Sequence, residues 1–263
     1  MRTASLGMTH TKDGDVATMS QLFAGTSGWA YPSWKPEFYP AKLAQRKFLG
    51  HYATRLNTVE VNFTFRQLVK ETTIQNWLNE TPAHFRFGIK AHQVITHIKR
   101  LKGTEDFVPR FLATIEPLAG AGKLGPVLFQ LPPNLKADGP LLQDFLSILP
   151  RTVPAAFEFR HASWFADSTW DLLKASNAAL CVAETETMTT PDVATAGFVY
   201  YRFRKPTYSG DERRSMIERI RQHLPAGRDV FAYFKHEETP EGALSAVELL
   251  QEWQARSHAG YRE

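Results

Sequence analysis

Eight short apolar runs alternate with longer stretches of helical period along almost the whole chain, and this repeat constrains the fold more than any other feature. Such alternation is typical of βα units repeated around a parallel sheet. Eight units in 263 residues agree with the strand number and usual size of a (β/α)8 TIM-type barrel. The predicted strands are Leu22–Gly25, Thr58–Val61, Phe85–Lys90, Val127–Gln130, Ala155–Phe159, Ala179–Val182, Phe198–Arg202 and Val230–Phe234.

Candidate helices fill the intervals between these strands. Their starts carry ordinary signals, since Thr239-Pro240-Glu241 supplies an N-cap residue, a proline at the first helical position and an early acid. The predicted helices are Ala41–Leu56, Lys70–Asn79, Glu105–Leu118, Pro140–Leu149, Ser168–Ser176, Asp211–His223 and Glu241–Arg256, with a less well-defined one around Met188–Ala194.

An open doubly wound sheet is the alternative architecture, and it often begins with a glycine-rich phosphate turn after its first strand. The segment from Gly120 to Gly125 spells G-x-G-x-x-G. However, it follows a predicted helix and precedes a predicted strand, which reverses the order that dinucleotide binding needs. We therefore interpret this segment as the end of a helix.

Length and composition predict one barrel domain over residues 22–258 and no membrane partner. No apolar run approaches the roughly 18 residues of a membrane span. Residues 1–21 are polar, lack the pattern of a secretory signal and are expected to form a disordered lead-in. The single cysteine, Cys181, lies in an apolar run and is expected in the core, which fits a reducing cytoplasm.

Polar side chains at the C-terminal ends of the predicted strands converge on the lumen of the barrel. Alternate strand residues face opposite sides of a sheet, so the valines of Thr58–Val61 direct Glu60 and Asn62 inward. Barrel enzymes carry their active sites at this C-terminal face. The same parity directs inward Lys90, Gln130, Glu158 and Arg160, with Glu184, Arg202, Arg204, Lys235, His236 and Glu237 as further candidates.

The ring holds more cations than carboxylates, which predicts a phosphate-bearing or otherwise anionic ligand. Thr26 and Ser27 lie in a segment whose backbone N–H groups could face the same ligand. Aromatic residues that follow predicted strands, namely Trp29, Tyr31, Trp34 and Trp164, could stack on a base or sugar or pack within their loops. The predicted ligand-binding residues are Thr26, Ser27, Trp29, Asn62, Gln130, Arg160, His161, Trp164, Arg202 and Lys235.

Glu60, Lys90 and Glu158 are the candidate catalytic residues, because carboxylates and a lysine in one pocket could carry acid–base chemistry. The alternative is that Glu158–Arg160 and Glu60–Lys90 are internal salt bridges. We favour a functional role because buried ion pairs are often no more stabilising than apolar residues. Glu60, Lys90, Glu158 and Arg160 are expected to form one coupled site.

No metal and no other cofactor is predicted. Carboxylates and histidines such as His161 stand near the strand ends, but the spacings H-E-x-x-H and C-x-x-C do not occur. Lys90 and Arg160 would repel a cation in the same pocket. The purified protein is therefore expected to carry no stoichiometric transition metal.

Several short strings stand in a characteristic order along the chain: Gly25–Trp29, Tyr39-Pro40, Asn57–Asn62, Phe85–Ala91, Ile95–His97, Leu124–Pro133, Phe157–His161 and Ser163–Phe165. In this order they closely resemble the YecE-like family, number 72 among the domains of unknown function. The resemblance runs from about Leu22 to about Leu250. It implies a (β/α)8 barrel of bacterial or archaeal cytoplasmic type without a settled activity, similar in fold alone to endonuclease IV and the xylose-isomerase-like enzymes.

Three strings that follow strands depart from the pattern that many relatives show. Phe63-Thr64-Phe65-Arg66 replaces Ser-Thr-Phe-Tyr, Arg202-Phe203-Arg204-Lys205 replaces Arg-Leu-His-Gly, and Phe234-Lys235-His236-Glu237 replaces Phe-Asn-Asn. The residues that keep the pattern are the firmest site candidates: Glu60, Asn62, Lys90, Gln130, Glu158, Arg160 and His161.

The sequence thus predicts a cytoplasmic barrel that binds an anionic small molecule, a nucleotide or a nucleic acid at its C-terminal face. Two alternatives stay open: a metal-dependent hydrolase or isomerase resembling the enzymes named above, and a non-catalytic binding module. Whether the chain is an enzyme, and its oligomeric state, are left open by the sequence.

Overall fold

A closed barrel of eight parallel strands forms the core of the chain in a computed structural model, which describes residues 20–259 apart from 185–187, 189, 206–207, 224–225 and 236–237. The barrel closes because the first strand pairs with both the second and the eighth. The predicted (β/α)8 fold is therefore confirmed. The strands are β1 (Leu22–Ser27), β2 (Thr58–Val61), β3 (Arg86–Lys90), β4 (Leu124–Gln130), β5 (Ala155–Glu158), β6 (Ala179–Ala183), β7 (Phe198–Phe203) and β8 (Asp229–Phe234).

Helices between the strands cover the outside of the barrel. Their apolar faces pack on the strands through buried residues such as Ile74, Phe111 and Leu173. Across the described ranges, no helix combines the length and apolar character needed to cross a membrane. The α-helices are α1 (Phe48–Tyr52), α2 (Glu71–Glu80), α3 (Phe107–Gly120), α4 (Gly139–Ile148), α5 (Asp167–Ala175), α6 (Gly210–Arg221) and α7 (Glu241–Ala259).

The helix predicted over Ala41–Leu56 is much shorter in the structure. Only a 3₁₀ turn at Gln45–Lys47 and the short helix α1 form there. The preceding chain is held in a compact turn because the buried ring of Tyr39 stacks on Phe48 at 4.0 Å. Aromatic packing thus overrides the helical periodicity of this segment.

The helix predicted around Met188–Ala194 is also wrong, since residues 190–194 are not helical. Pro191 has no amide hydrogen to donate within a helix. The chain then passes beneath the barrel, where the Thr195 hydroxyl accepts from the Leu180 amide at 2.8 Å and donates to the Ala178 carbonyl at 2.7 Å.

The glycine-rich segment between α3 and β4 ends a helix, as its order in the sequence predicts. Helix α3 ends at Gly120 and β4 begins at Leu124. Gly122 has a φ of 67°, in the left-handed region that glycine adopts without strain.

The lumen is solid below its C-terminal end because large and small side chains complement each other across it. Phe23 stacks on Phe231 with ring centroids 4.6 Å apart, and Tyr200 contacts Tyr233 at 5.1 Å. The opposite wall carries small residues, Ala156, Ala179, Cys181 and Ala183, and all four are buried, Cys181 as predicted. A ligand can therefore enter only above this packed layer.

Glycine at position 88 makes room for one of the lumen tyrosines. A Cβ atom at Gly88 would lie 2.6 Å from the hydroxyl oxygen of Tyr233. That hydroxyl shares a 2.9 Å hydrogen bond with the Thr58 hydroxyl. The Tyr233 ring of β8 thus contacts both β2 and β3 inside the barrel, and it fits there because Gly88 has no side chain.

The predicted lead-in lies outside the described residues, except for Ser20 and Gln21. Gln21 adds to the closure of the barrel, because its amide donates to Asp229 Oδ1 at 2.8 Å and its carbonyl accepts from the Val230 amide at 2.9 Å. The disorder of residues 1–19 stays a prediction.

Candidate functional site

A pocket of about 480 Å³ opens at the C-terminal ends of the strands, directly above the packed lumen. Four of its residues, Asn62, Arg160, Arg204 and Lys235, continue the inward parity of β2, β5, β7 and β8 beyond the strand ends. Among the described residues, the lining includes six cations and no carboxylate. The lining residues are Ser27, Asn62, Phe63, Phe65, Arg66, Lys90, Gln130, Arg160, Arg202, Arg204 and Lys235.

Arg202 bridges two buried carboxylates at the floor of this pocket. Its Nη2 donates to Glu60 Oε1 at 2.7 Å, and its Nη1 donates to Glu158 Oε2. The three side chains are almost completely buried. Burial raises the pKa of Glu158, but the charges of Arg202, Arg204 and Arg160 and a hydrogen bond from Gln130 outweigh it and lower the pKa to about 2.

The carboxylate of Glu60 accepts hydrogen bonds from three side chains, which belong to the two strands β1 and β7. Besides Arg202, its carboxylate accepts from the Ser27 hydroxyl at 2.7 Å and from the Tyr200 hydroxyl at 2.6 Å. Burial opposes ionisation, yet Arg202, Arg204 and these hydrogen bonds hold the pKa of Glu60 below its usual value. Glu60 and Glu158 therefore stay ionised and lie beneath the pocket, so the structure places neither predicted acid–base group on the lining.

Lys90 does line the pocket, and it reaches Glu158 only through Gln130. Its Nζ donates to Gln130 Oε1 at 2.9 Å, while Gln130 Nε2 donates to Glu158 Oε1 at 2.9 Å. The ammonium group also lies 4.3 Å from the centre of the Phe65 ring. Burial, followed by the charges of Arg202 and Arg204, lowers the pKa of Lys90 to about 8, although Glu60 and Glu158 oppose this.

The two salt bridges weighed from the sequence have different outcomes. Arg160 Nε lies 3.2 Å from Glu158 Oε1, as that interpretation predicts. Glu60 pairs with Arg202 and not with Lys90. Glu60, Lys90, Glu158 and Arg160 thus belong to one hydrogen-bonded network, joined by Arg202 and Gln130, and their energetic coupling stays a prediction.

Three buried polar atoms beside the pocket have no hydrogen-bond partner among the described residues. They are Arg202 Nε, Arg204 Nε and Asn62 Oδ1. Arg202 is only 2% exposed, so its third donor nitrogen cannot be satisfied by bulk solvent. Unpartnered buried polar groups are uncommon because each one costs free energy, and here they mark a place where a ligand or water would be bound.

Of the aromatic residues predicted to stack on a ligand, Trp34 and Trp164 are fully buried. Trp164 stacks on Phe159 at 4.6 Å and donates its Nε1 to the Leu135 carbonyl at 2.9 Å. Trp29 packs edge-on against Trp77 at 5.7 Å and is not among the lining residues. The packing alternative therefore describes these tryptophans better than ligand stacking.

Thr26, His161 and Glu184 also lie apart from the pocket lining. Thr26 faces the helix layer, where its hydroxyl shares a 3.0 Å hydrogen bond with the Tyr52 hydroxyl. His161 Nδ1 accepts from the Ser163 amide at 3.2 Å and caps a 3₁₀ turn. Glu184 pairs with Arg219 of α6 at 3.2 Å, which places its carboxylate outside the barrel.

Of the three candidates that follow β8, Lys235 lines the pocket, while His236 and Glu237 lie outside the described residues.

Sequence reasoning missed the side wall formed by Phe63, Phe65 and Arg66. These residues belong to a 3₁₀ turn that follows β2, where strand parity gives no guidance. They lie in a string that departs from the family pattern, and the same is true of Arg204 and Lys235. Three of the six lining cations, Arg66, Arg204 and Lys235, therefore stand where the family pattern has a different residue.

Across the described part of the chain, no three His, Cys, Asp or Glu side chains are grouped to hold a metal ion. The expectation that the purified protein carries no stoichiometric metal stays a prediction, to be checked by elemental analysis.

Curated relatives are bacterial proteins that the chain matches over part of their length. It is 29% identical over 151 residues to the UPF0759 protein YunF of Bacillus subtilis, a match that covers 55% of this chain and 52% of YunF. It is 32% identical over 146 residues to the UPF0759 protein YecE of Escherichia coli K12, covering 55% of this chain and 50% of YecE. The chain thus spans about half the length of the curated relatives it matches.

Solved structures and a family model extend this similarity over most of the chain. A DUF72 family protein from Thermotoga maritima superposes with a TM-score of 0.79 at 23% identity, covering 89% of this chain and 99% of that one. One from Enterococcus faecalis gives 0.72 at 17% identity, covering 89% and 98%. These likenesses show the fold. The family model described as protein of unknown function DUF72 matches residues 23–262, and the chain therefore belongs to the DUF72 family.

Proposed function

We propose that the pocket at the C-terminal face binds a small ligand that carries a phosphate or carboxylate group. The observation that supports this proposal is the charge of the lining, which includes six cations among the described residues and no carboxylate. The two nearby carboxylates, Glu60 and Glu158, lie beneath the pocket and are engaged by Arg202.

Clustered cations repel one another, and a bound anion would relieve that repulsion. This repulsion affects Lys90, because the charges of Arg202 and Arg204 add to burial in lowering its pKa. An anion in the pocket would oppose these charges and raise the pKa of Lys90 again. Ligand binding near pH 8, where Lys90 titrates, is therefore expected to be accompanied by proton uptake.

The donors of the pocket suit phosphate and carboxylate oxygens. Arg160 and Arg204 offer planar guanidinium groups, which bind such anions through paired hydrogen bonds. Arg202 Nε adds a donor without a partner among the described residues. Phe63, which is 36% exposed, and Phe65 supply an apolar wall for the carbon skeleton of the ligand.

The first prediction is that inorganic phosphate raises the melting temperature of the protein and that Arg160→Gln reduces this increase. Arg160 lines the pocket and is about one-third exposed, so the substitution removes an anion donor without opening the core. A ligand that binds only the folded state stabilises it by mass action. Thermal melts across a phosphate titration measure the effect.

Lys174→Gln is the matched control, because Lys174 is exposed at the C-terminal end of α5, on the opposite face of the barrel. Its phosphate response should equal that of the wild type. Equal responses in the wild type and Arg160→Gln would contradict the proposed site. A short single-stranded oligonucleotide should bind weakly if at all, whereas tight binding that falls steeply with salt would indicate a nucleic-acid ligand instead.

A further inference from the structure

We propose that Lys90 is a nucleophilic amine that forms a Schiff base with the carbonyl carbon of an anionic aldehyde or keto acid. This inference rests on the proposed anion site and names the class of compound that the site would take. It assigns to Lys90 a covalent role that is distinct from charge attraction.

The contacts of Lys90 differ from those of a lysine in a salt bridge. Its Nζ lines the pocket, has one described hydrogen bond, to Gln130, and lies over the Phe65 ring. No carboxylate of the described residues lies within ion-pair distance of it, because Arg202 and Arg160 occupy Glu158, and Arg202 occupies Glu60. The amine is thus held in position without being locked in its charged form.

Lys123 shows how a lysine with a structural role differs from Lys90. Lys123 is buried, whereas Lys90 is half-buried, and the pKa of Lys123 is also lowered, first by burial. Its Nζ, however, donates to the carbonyls of Leu78 and Thr81 and to the Thr81 hydroxyl at 2.6 to 3.0 Å. These three bonds use all the donors of the ammonium group, so Lys123 has a structural role at the end of α2.

The surroundings of Lys90 enlarge the fraction of its amine that is neutral near physiological pH. Burial and the neighbouring arginines lower its pKa to about 8, whereas Glu60 and Glu158 act in the opposite direction. Desolvation and adjacent cations are the means by which proteins activate lysine amines as nucleophiles. The charged and titratable groups around it are Glu60, Arg66, His97, Glu158, Arg160, Arg202, Arg204 and Lys235.

The covalent step needs only the amine, the carbonyl compound and a proton. The nitrogen lone pair forms a C–N bond, the carbonyl π pair moves to oxygen, and a proton transfers from nitrogen to that oxygen to give a carbinolamine. Protonation of the hydroxyl lets it leave as water while the nitrogen lone pair forms the C=N bond. Amine, carbonyl and one proton thus become an iminium ion and one water molecule.

The pocket would select acidic carbonyl compounds for this step. The phosphate or carboxylate group of the substrate offsets the positive charge that stays on nitrogen after the iminium forms. Gln130 Oε1, at 2.9 Å from Nζ, orients the amine, and Phe65 limits the access of water to one side of it. Neutral aldehydes lack the group that the surrounding cations would hold.

Reductive trapping of the full chain tests the inference. The protein is incubated near neutral pH with glycolaldehyde phosphate and cyanoborohydride, and modified lysines are located by peptide mass spectrometry. We expect Lys90 to be modified about tenfold faster than the exposed Lys174, because the pKa of Lys90 is lowered to about 8 and its amine lies in the proposed anion pocket. Inorganic phosphate should slow the reaction at Lys90, and neutral glycolaldehyde should show a smaller preference for it.

Lys90→Arg keeps the positive charge and removes the nucleophile, so the preferred label should disappear while the phosphate-induced increase in melting temperature persists. Lys174→Arg should leave the label on Lys90 unchanged. Equal modification of Lys90 and Lys174, with phosphate stabilisation intact, would overturn the Schiff-base role and leave the anion site standing. If neutral glycolaldehyde labels Lys90 with the same preference as glycolaldehyde phosphate, the proposed substrate class is wrong. If phosphate does not stabilise the wild-type protein, the proposed function itself is wrong.

Discussion

At the scale of single residues, the buried carboxylates of the site depend on Arg202. Its two Nη groups reach β2 and β5 from β7, and each carboxylate accepts from it directly. Removing one partner of a buried ion pair is costly because the other partner stays charged and out of water. The free energy of unfolding should therefore depend strongly on the positive charge of Arg202.

Arg202→Met is expected to lower the free energy of unfolding at neutral pH by about 3–5 kcal/mol, because Glu60 and Glu158 lose their shared partner. Urea unfolding measures the loss. Arg214→Met is the control, since Arg214 forms an exposed ion pair with Asp211 and should cost no more than about 1 kcal/mol. A loss at Arg202 as small as that of the control would show that the carboxylates do not need this arginine.

Strand parity predicts the inward direction of most of the site residues, whereas Glu184, expected in the ring, lies outside the barrel because Cys181 and Ala183 take the lumen side of β6. Glu60, Gln130 and Glu158 occupy the lumen side as alternation requires. Parity could not predict which cation pairs with which carboxylate, because that choice depends on side-chain reach across the barrel. Arg202 of β7 pairs with Glu60 of β2 across the lumen. Lys90, on the strand next to β2, donates to Gln130 instead.

At the scale of elements, the contact between β3 and β8 inside the lumen depends on the absence of a side chain at Gly88. A Cβ there would lie 2.6 Å from the Tyr233 hydroxyl oxygen, which is closer than atoms approach without displacement. Overpacking of this kind in a core typically costs about 1–3 kcal/mol. The hydrogen bond between Tyr233 and Thr58 would be displaced together with the ring.

Gly88→Ala is therefore expected to destabilise the protein by about 1–3 kcal/mol, and Tyr233→Phe should reduce that cost by removing the clashing oxygen. A double-mutant cycle by urea unfolding measures the coupling. Gly120→Ala is the control, because a Cβ there would meet only Glu116 Oε1, at 3.7 Å. Additive effects of the two lumen substitutions would contradict the proposed steric contact.

The elements themselves were predicted well where local pattern and tertiary packing agree. The strands and the later helices lie close to their predicted bounds because apolar periodicity and caps such as Ser209, which forms a capping box with Glu212, act together. The segment before α1 was mispredicted because buried aromatic contacts such as that between Tyr39 and Phe48 hold it in turns. Periodicity cannot report such contacts between residues that lie outside a regular element.

At the scale of the whole molecule, the buried carboxylates make folding sensitive to acid. The pKa of Glu158 is about 2 in the folded protein against an ordinary value of 4.5, and the pKa of Glu60 is also lowered. A group whose pKa is lower in the folded state stabilises that state above its unfolded pKa, and the contribution is lost as pH falls towards the folded pKa. The barrel should therefore lose stability between pH 4.5 and about 2.

Glu158→Gln should make this part of the pH profile less steep, because the amide does not titrate in that window. The variant is expected to be less stable than the wild type at neutral pH, since Arg202 and Arg160 lose a charged partner. Urea unfolding across the acid range, with both proteins measured in the same buffers, gives the two profiles. Parallel profiles would show that other carboxylates govern the acid response.

The bridge formed by Arg202, Glu60 and Glu158 separates the aromatic packing of the lumen from the rim of the pocket. Arg66 and Lys235, both exposed, and the half-buried Arg204 lie above it and belong to strings that follow strands. Substitutions at Arg66 and Lys235 would alter the number of rim charges without touching a packed side chain below the bridge, whereas Arg204 also helps to lower the pKa of Glu60 and Glu158. The charge of the pocket rim can therefore change at one set of positions while the packed lumen is maintained by another, without a compensating change in the core.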